Sequence, residues 1–227
     1  ADALNADDET LARDRQRAEA IRAERDAAAQ SYFRDNAAEW DRIRALHVPE
    51  AVVTEAMREI MGAEPIDLLV DLGTGTGHVL EAFAPQAKGA VGIDMNRQML
   101  AYARARMDRL GLSHVQLRQG DLFNVPLSEA SADAVVLHQV LHFLDDPAPA
   151  IDEAARLLRP GGRLLIVDFA PHDLEDLRET FAHRRLGFSS EQMAKWLEDA
   201  GLALADERQL AADQATSGEC LTVCLWR

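Results

Sequence analysis

Only two cysteines, Cys220 and Cys224, occur in the 227 residues, and they stand close together near the end of the chain. Two thiols make neither a secreted disulfide framework nor a zinc set, and a reducing cytoplasm is the compartment they fit. Their even spacing on an expected strand turns both to one side, as buried structural thiols. No run approaches the roughly 18 apolar residues of a membrane span. The opening ADALNADDET is acidic rather than basic-then-apolar, so it does not read as a signal peptide. It begins at Ala1 rather than Met, as a piece trimmed from something longer would. Positive charge is also scarce: 24 Lys and Arg face 39 Asp and Glu, leaving a net charge of -15 that repels phosphate backbones. No nucleic-acid contact is expected from this segment itself. The length suits one large α/β domain with extra helices and is too short for two full enzyme domains.

Glycine and proline are missing from residues 7–40, which are rich in Ala, Arg, Glu and Asp and read as helix. The stripe Leu11, Ala18, Ile21, Ala28 and Tyr32 is thin, which leaves a homodimer arm, a linker and a solvated surface helix as readings. A second helix is expected from Glu50 to Met61, with Val52, Val53, Ala56, Met57 and Ile60 on one side and Gly62 as its stop. Residues 1–62 thus form an N-terminal helical segment, and residues 63–227 a ligand-binding domain.

From Ile66 short apolar runs alternate with helical stretches, the pattern of a parallel sheet covered by helices on both faces. Strands are expected at Ile66 to Asp71, Ala90 to Asp94, Val115 to Leu117, Ala134 to Leu137 and Arg163 to Phe169. Asn96 caps one helix that Gly111 stops, and Asp146-Pro147 opens another before Pro160-Gly161-Gly162 turns the chain back. Ser189 with Gln192 resembles a capping box. Two last extended runs, Leu202 to Gln209 and Leu221 to Trp226, have no helix between them and must pair antiparallel.

Asp71-Leu72-Gly73-Thr74-Gly75-Thr76-Gly77 follows the first strand and precedes a short helix, His78 to Ala84. Glycines there let backbone approach a ligand beside free N–H groups. The dinucleotide fingerprint G-x-G-x-x-G is not met, because His78 stands at its third glycine. Asp94 closes the second strand, where a carboxylate can accept from both ribose hydroxyls of a nucleoside. Asp121, in Arg118-Gln119-Gly120-Asp121-Leu122, closes the third. Any one of these aspartates alone reads as a cap or turn residue; three in order, one leading into the glycine loop, point to a nucleoside site.

DLGTGTG, VGIDMN, RQGDLFNVPL, ADAVVLHQVLHFL and ARLLRPGGRLLIVDF resemble the successive motifs of class I S-adenosylmethionine methyltransferases, in the branch with the ubiquinone and menaquinone methyltransferases. AAEWDRIRALHVPE and VDFAPHDLEDLRETFAHRRLGFS resemble more narrowly the methyltransferase half of proteins carrying an ArsR-type winged-helix regulator; that winged helix is absent from this sequence. The resemblance implies a Rossmann-like α/β fold: a seven-stranded, mostly parallel sheet with helices on both faces and a C-terminal antiparallel hairpin. It implies S-adenosylmethionine as cofactor. Asp71, Gly73, Thr74, Gly75 and Gly77 would hold its methionine end, Asp94 the ribose, with Met95 against the adenine. Gly120, Asp121 and Leu122 would meet the adenine and its amino group, and His138 would lie beneath the sulfonium.

Methyl transfer from a sulfonium needs chiefly a positioned, desolvated nucleophile, so a base is optional and the acceptor is poorly legible. Candidates on the acceptor side are His138, His142 and Tyr32, with His172 and His183 beyond the fifth strand and Trp40 joining Tyr32 in a lid. His183-Arg184-Arg185 reads as either an anionic-substrate spot or a solvated helix face. The cysteine pair does not meet the need of arsenic methylation for several thiols near the methyl donor. The function expected is methyl transfer to a small molecule. An S-adenosylmethionine or S-adenosylhomocysteine sensor attached to a regulator is the alternative, and a nicotinamide oxidoreductase ranks below both.

Overall fold

A computed structural model describes residues 9–44, 48–210 and 222–227. Helix α1 (Glu9–Asn36) runs without a Gly or Pro, and a 3-10 turn (Ala37–Glu39) leads into α2 (Trp40–Arg44), so the single N-terminal helix expected from sequence is broken near Asn36. Helix α3 (Glu50–Met61) ends at Gly62, which takes φ +83°. The α/β part then runs β1 (Ile66–Leu72), α4 (His78–Phe83), β2 (Ala87–Asp94), α5 (Arg97–Leu110), β3 (Val115–Gln119), β4 (Ala132–His138), α6 (Ala148–Leu157), β5 (Leu158–Phe169), α7 (Asp176–Thr180), α8 (Ser190–Asp199), β6 (Glu207–Leu210) and β7 (Val223–Trp226).

The sheet order is β3-β2-β1-β4-β5-β7-β6, with the first five strands parallel and β7 antiparallel to both β5 and β6. The seven-stranded, mostly parallel sheet and its antiparallel C-terminal strands are therefore present as expected. β4 is buried at every position and the last four residues of β1 are too, which is why both read as continuous apolar runs. One face of the sheet packs Met57, Ile60, Leu80 and Phe83 against Leu69 and Val136; the other packs Ile151, Leu157, Met193 and Leu197 against Val70 and Val135.

Local signals act where they were read. Asn96 Oδ1 accepts from Gln98 N and Met99 N, and Gly111 closes α5 at φ +67°. Ser189 Oγ accepts from Gln192 N. Three differences have physical causes. β2 starts at Ala87, three residues early, because Lys88 can lie in the strand while its amine reaches water and Asp67. β5 starts at Leu158, with a register shift against Ala132 and Ala134 where Pro160, Gly161 and Gly162 bulge. Helix α7 was not expected, since five residues carry too little periodicity. Cys220 and residues 211–221 lie outside the described residues; Cys224 is buried in β7.

Candidate functional site

Strand order reverses between β1 and β4: β2 and β3 lie to one side, β5 to the other. The crevice outside the carboxyl ends of those two strands is where such sheets bind ligands. A cavity of about 280 Å³ sits there, and Asp71, Gly73, Gly75, Asp94, Met95, Gly120, Asp121, Leu122 and His138 all line it. Thr74 and Gly77, expected in the site from sequence, are not on its lining.

The glycine loop leaves β1 under constraint. Gly73 N and Thr74 N both donate to Ile93 O, and Thr74 Oγ1 donates to Asp71 Oδ2 at 2.5 Å. Gly73 has φ +74°, and a Cβ there would come within 2.6 Å of Val140 Cγ2. Gly75 has φ +52° but room for a Cβ, whose nearest neighbour would be Trp40 at 3.6 Å. Gly73 is thus required by packing, whereas Gly75 is required only by its backbone angles and whatever the loop faces. His78 turns away from the cavity. Its Nε2 lies 2.8 Å from Thr54 Oγ1 and 2.6 Å from Glu50 Oε1, so the third position of the dinucleotide fingerprint here ties α4 to α3.

Asp94 joins the two first strands. Its Oδ2 accepts from Gly75 N at 2.9 Å and its Oδ1 from Asn96 N at 2.7 Å. Burial pushes its pKa up, and these two N–H groups pull in the other direction. An ionised carboxylate has about four lone-pair sites, so each oxygen keeps capacity for a further donor.

Asp121 lies two residues past β3 rather than closing it: Gly120 N donates to Asp94 O, one rung beyond the Asp94–Gln119 pair, and the chain turns after that. The Asp121 side chain accepts from Phe123 N in a turn and is exposed at the cavity edge. This loop is pinned from below. Glu153 Oε1 accepts from Val125 N, and Arg156 bridges Glu153 to Leu127 O and Val125 O. That ion pair holds the Glu153 carboxyl below its usual range.

The N-terminal segment forms the opposite wall. Ala29, Gln30, Phe33 and Trp40 line the cavity, with Phe33 4.8 Å and Trp40 6.0 Å from the ring of Phe143. Polar contacts fasten it: Asn96 Nδ2 donates to Gln30 O, and Asp41 accepts from Thr76 Oγ1 at 2.7 Å and pairs with Arg106. Farther back, Ile21 of the expected stripe is 51% exposed.

The acceptor-side candidates separate. His138 is on the wall. His142 is 2% exposed and not on it; its Nδ1 donates to Asp168 Oδ1 at 2.7 Å, while Asp168 Oδ2 accepts from Leu141 N and His142 N. Tyr32 packs edge-on against Trp40 behind the wall, with its hydroxyl pKa raised by burial. His183 stacks on Phe169 and lies 4.2 Å from His142, in a segment that is not helical, so the solvated-helix reading of residues 183–185 fails. Arg184 reaches the cavity and pairs with Asp145 at 2.9 Å. Sequence reasoning missed Phe33, Gln139, Val140 and Phe143. The aromatic cluster at 32, 33 and 40 was the available signal for Phe33.

Residues 70–166 match the family model described as the methyltransferase domain. A protein of transposon TN4556 from Streptomyces fradiae is 33% identical over 68% of this chain and 48% of its own length. A Mycolicibacterium smegmatis protein named as a probable S-adenosylmethionine-dependent methyltransferase is 33% identical over 61% of this chain and 52% of its own. Bacillus subtilis YcgJ, named as an uncharacterized methyltransferase, is 26% identical over 68% of this chain and 76% of its length. Its crystal structure superposes with a TM-score of 0.66 over 78% of this chain and 97% of that one, at 21% identity. The chain spans about half the length of the first and second of these relatives. Over residues 70–166 the chain is thus similar to the methyltransferase domain, and the cofactor that the Mycolicibacterium relative's name gives is S-adenosylmethionine. The residues present suit that cofactor: a half-buried carboxylate with spare acceptor sites, a loop whose glycines have positive φ, and apolar walls from Ile93, Met99 and Leu122.

Proposed function

We propose that this chain transfers the methyl group of S-adenosylmethionine to a small-molecule acceptor bound between His138 and the Phe33–Trp40–Phe143 wall. The observation that carries the reading is that Asp94 ties the glycine loop to the end of β2 on the rim of one cavity that also holds His138. Nucleoside recognition and an enclosed acceptor space thus share one crevice.

Asp94 would bind the ribose hydroxyls, the 71–77 loop the methionine end, and Met95 with residues 120–122 the adenine. Bound there, the cofactor would supply an electrophilic methyl group on a positively charged sulfur. The chain's own part is to place the acceptor and keep water out. Phe33, Trp40 and Phe143 do the second. His138 is the wall residue that could receive a proton where the acceptor must lose one.

Within the N-terminal segment the lid is the stretch from Phe33 to Asp41, which meets the cavity and its loop, whereas α3 packs into the sheet's core and belongs with the domain that follows it. The exposed Ile21 and Ala28 leave the earlier part of α1 available as a linker or homodimer arm. The motifs at 37–50 and 167–189 support a finer placement beside ArsR-type regulators, and the apolar, base-poor wall is compatible with the quinone branch. Among the described residues no helix is long and apolar enough to cross a membrane.

The test is incubation of the chain with methyl-labelled cofactor and a panel of small hydroxyl, amine and amide compounds, reading S-adenosylhomocysteine release and labelled product. Acceptor-dependent release supports transfer. Tight cofactor binding with no release across a broad panel would favour the sensor reading.

A further inference from the structure

Gln139 directly follows β4, at the strand-order reversal, with φ +49°. A side chain in the left-handed region is uncommon outside Gly, Asn and Asp, and such strain persists where the surroundings hold it. Here the hold is visible: Gln139 N donates to Val167 O at 2.7 Å, continuing the pairing of β4 with β5. The residue is 8% exposed and lines the cavity, yet its carboxamide has no hydrogen-bond partner among the described residues. Neither of its polar atoms is sealed from the cavity, so the carboxamide presents two donors and two acceptor lone pairs to whatever enters. Phe33 and Phe143, on the same cavity wall, have no polar side-chain atom to pair with it.

We propose that Gln139 selects and orients the methyl acceptor: its carboxamide pairs with a neutral group that both donates and accepts, such as an amide, on a planar body lying against Phe33 and Phe143. This rests on the reading of the cavity as the site of methyl transfer. A carboxylate matches less well, because it cannot return a hydrogen bond to Gln139 Oε1, and the wall's cation, Arg184, already pairs with Asp145. Gln139 therefore discriminates by reciprocal hydrogen bonding. A site built to hydrogen-bond rejects an analogue that leaves its polar groups unpaired.

Benzamide and benzoate share a ring and differ at the group in question. Each is titrated by NMR into the whole chain saturated with S-adenosylhomocysteine, after that ligand's own dissociation constant has been measured. Benzamide is expected to bind at least about tenfold more tightly than benzoate, and Gln139→Leu to remove that preference while changing S-adenosylhomocysteine affinity less than about twofold. Gln139→Gly, which relieves the positive φ, serves as the second variant if leucine prevents folding, with the same loss expected. Equal benzamide affinity in wild type and variant, preference for benzoate, or no benzamide binding by a chain that does bind S-adenosylhomocysteine overturns the proposal alone. Failure of the wild type to bind S-adenosylhomocysteine overturns the reading beneath it, and the proposal with it.

Discussion

Replacing Asp94 should separate cofactor recognition from folding. In Asp94→Ala, two ribose hydroxyls lose a charged acceptor, and Gly75 N and Asn96 N lose theirs at 2.9 and 2.7 Å. Hydrogen bonds to a charged group contribute about 1.5–3 kcal/mol each, and water recovers part of the loss, so about 3 kcal/mol is expected, or roughly 150-fold in dissociation constant. Asp94→Asn keeps the volume, but its NH₂ must face one of the two backbone donors; about 1–2 kcal/mol is expected. pH adds a second signature. The Asp94 pKa is raised by burial in the free protein, so wild-type cofactor affinity should fall as pH drops through that raised value and stay level above it. For folding the sign is opposite. The folded chain holds this proton more tightly than the unfolded chain, so Asp94 makes stability fall as pH rises from the ordinary value of about 3.9 to the raised one. Calorimetric titration of folded wild type and both variants from pH 4.5 to 8 checks all of this. Wild-type affinity in Asp94→Ala, or an unchanged pH profile in Asp94→Asn, would refute the assignment.

The two loop glycines should behave differently. Gly73→Ala, driven toward Val140, is expected to lower stability by about 2–3 kcal/mol, a melting shift of roughly 4–12 °C, while Gly75→Val should melt nearer to wild type and lose cofactor binding. Asp168→Asn leaves the buried His142 ring and nearby N–H groups without their charged acceptor and should cost about 3 kcal/mol by denaturant titration; a neutral outcome would remove the pair from the structural account. Glu153→Gln should cost about 1–2 kcal/mol. Because the native Glu153 pKa is lowered, that contribution is present above the ordinary carboxylate range and lost on acidification, so the acid transition of the variant should be less steep. Cys224, its thiol pushed up to about 11 mainly by burial, should resist thiol reagents at pH 8 until the chain unfolds, as mass mapping of the labelled peptide would show.

The parts legible in the sequence were those written in local chemistry. The glycine loop, the Asn96 and Ser189 caps and the apolar run of β4 each follow from neighbours within a few residues. Asp94 was legible only in company: alone it reads as a cap or turn residue, and the order of three acidic strand ends beside the glycine loop singled it out. The pairing of His142 with Asp168 spans 26 residues and depends on β4 lying beside β5, so nothing near His142 distinguished a locked structural ring from a free base. Gln139 was invisible for a different reason: its importance lies in a backbone angle and in an absent partner, neither of which a residue type announces. Phe33 was hidden in a helix read for its thin aliphatic stripe, and its role appeared only when α1 was seen to cross the cavity.

The most direct measurement of the central claim is amide hydrogen exchange of the whole chain with and without S-adenosylmethionine. The account predicts that saturation slows exchange in residues 71–77, 94–96 and 120–123, and across 30–40 where the lid meets the ligand, with little change in β5, β6 and β7. Saturable binding that protects another face and leaves both the 71–77 loop and the 94–96 turn exchanging at their free rates would contradict it.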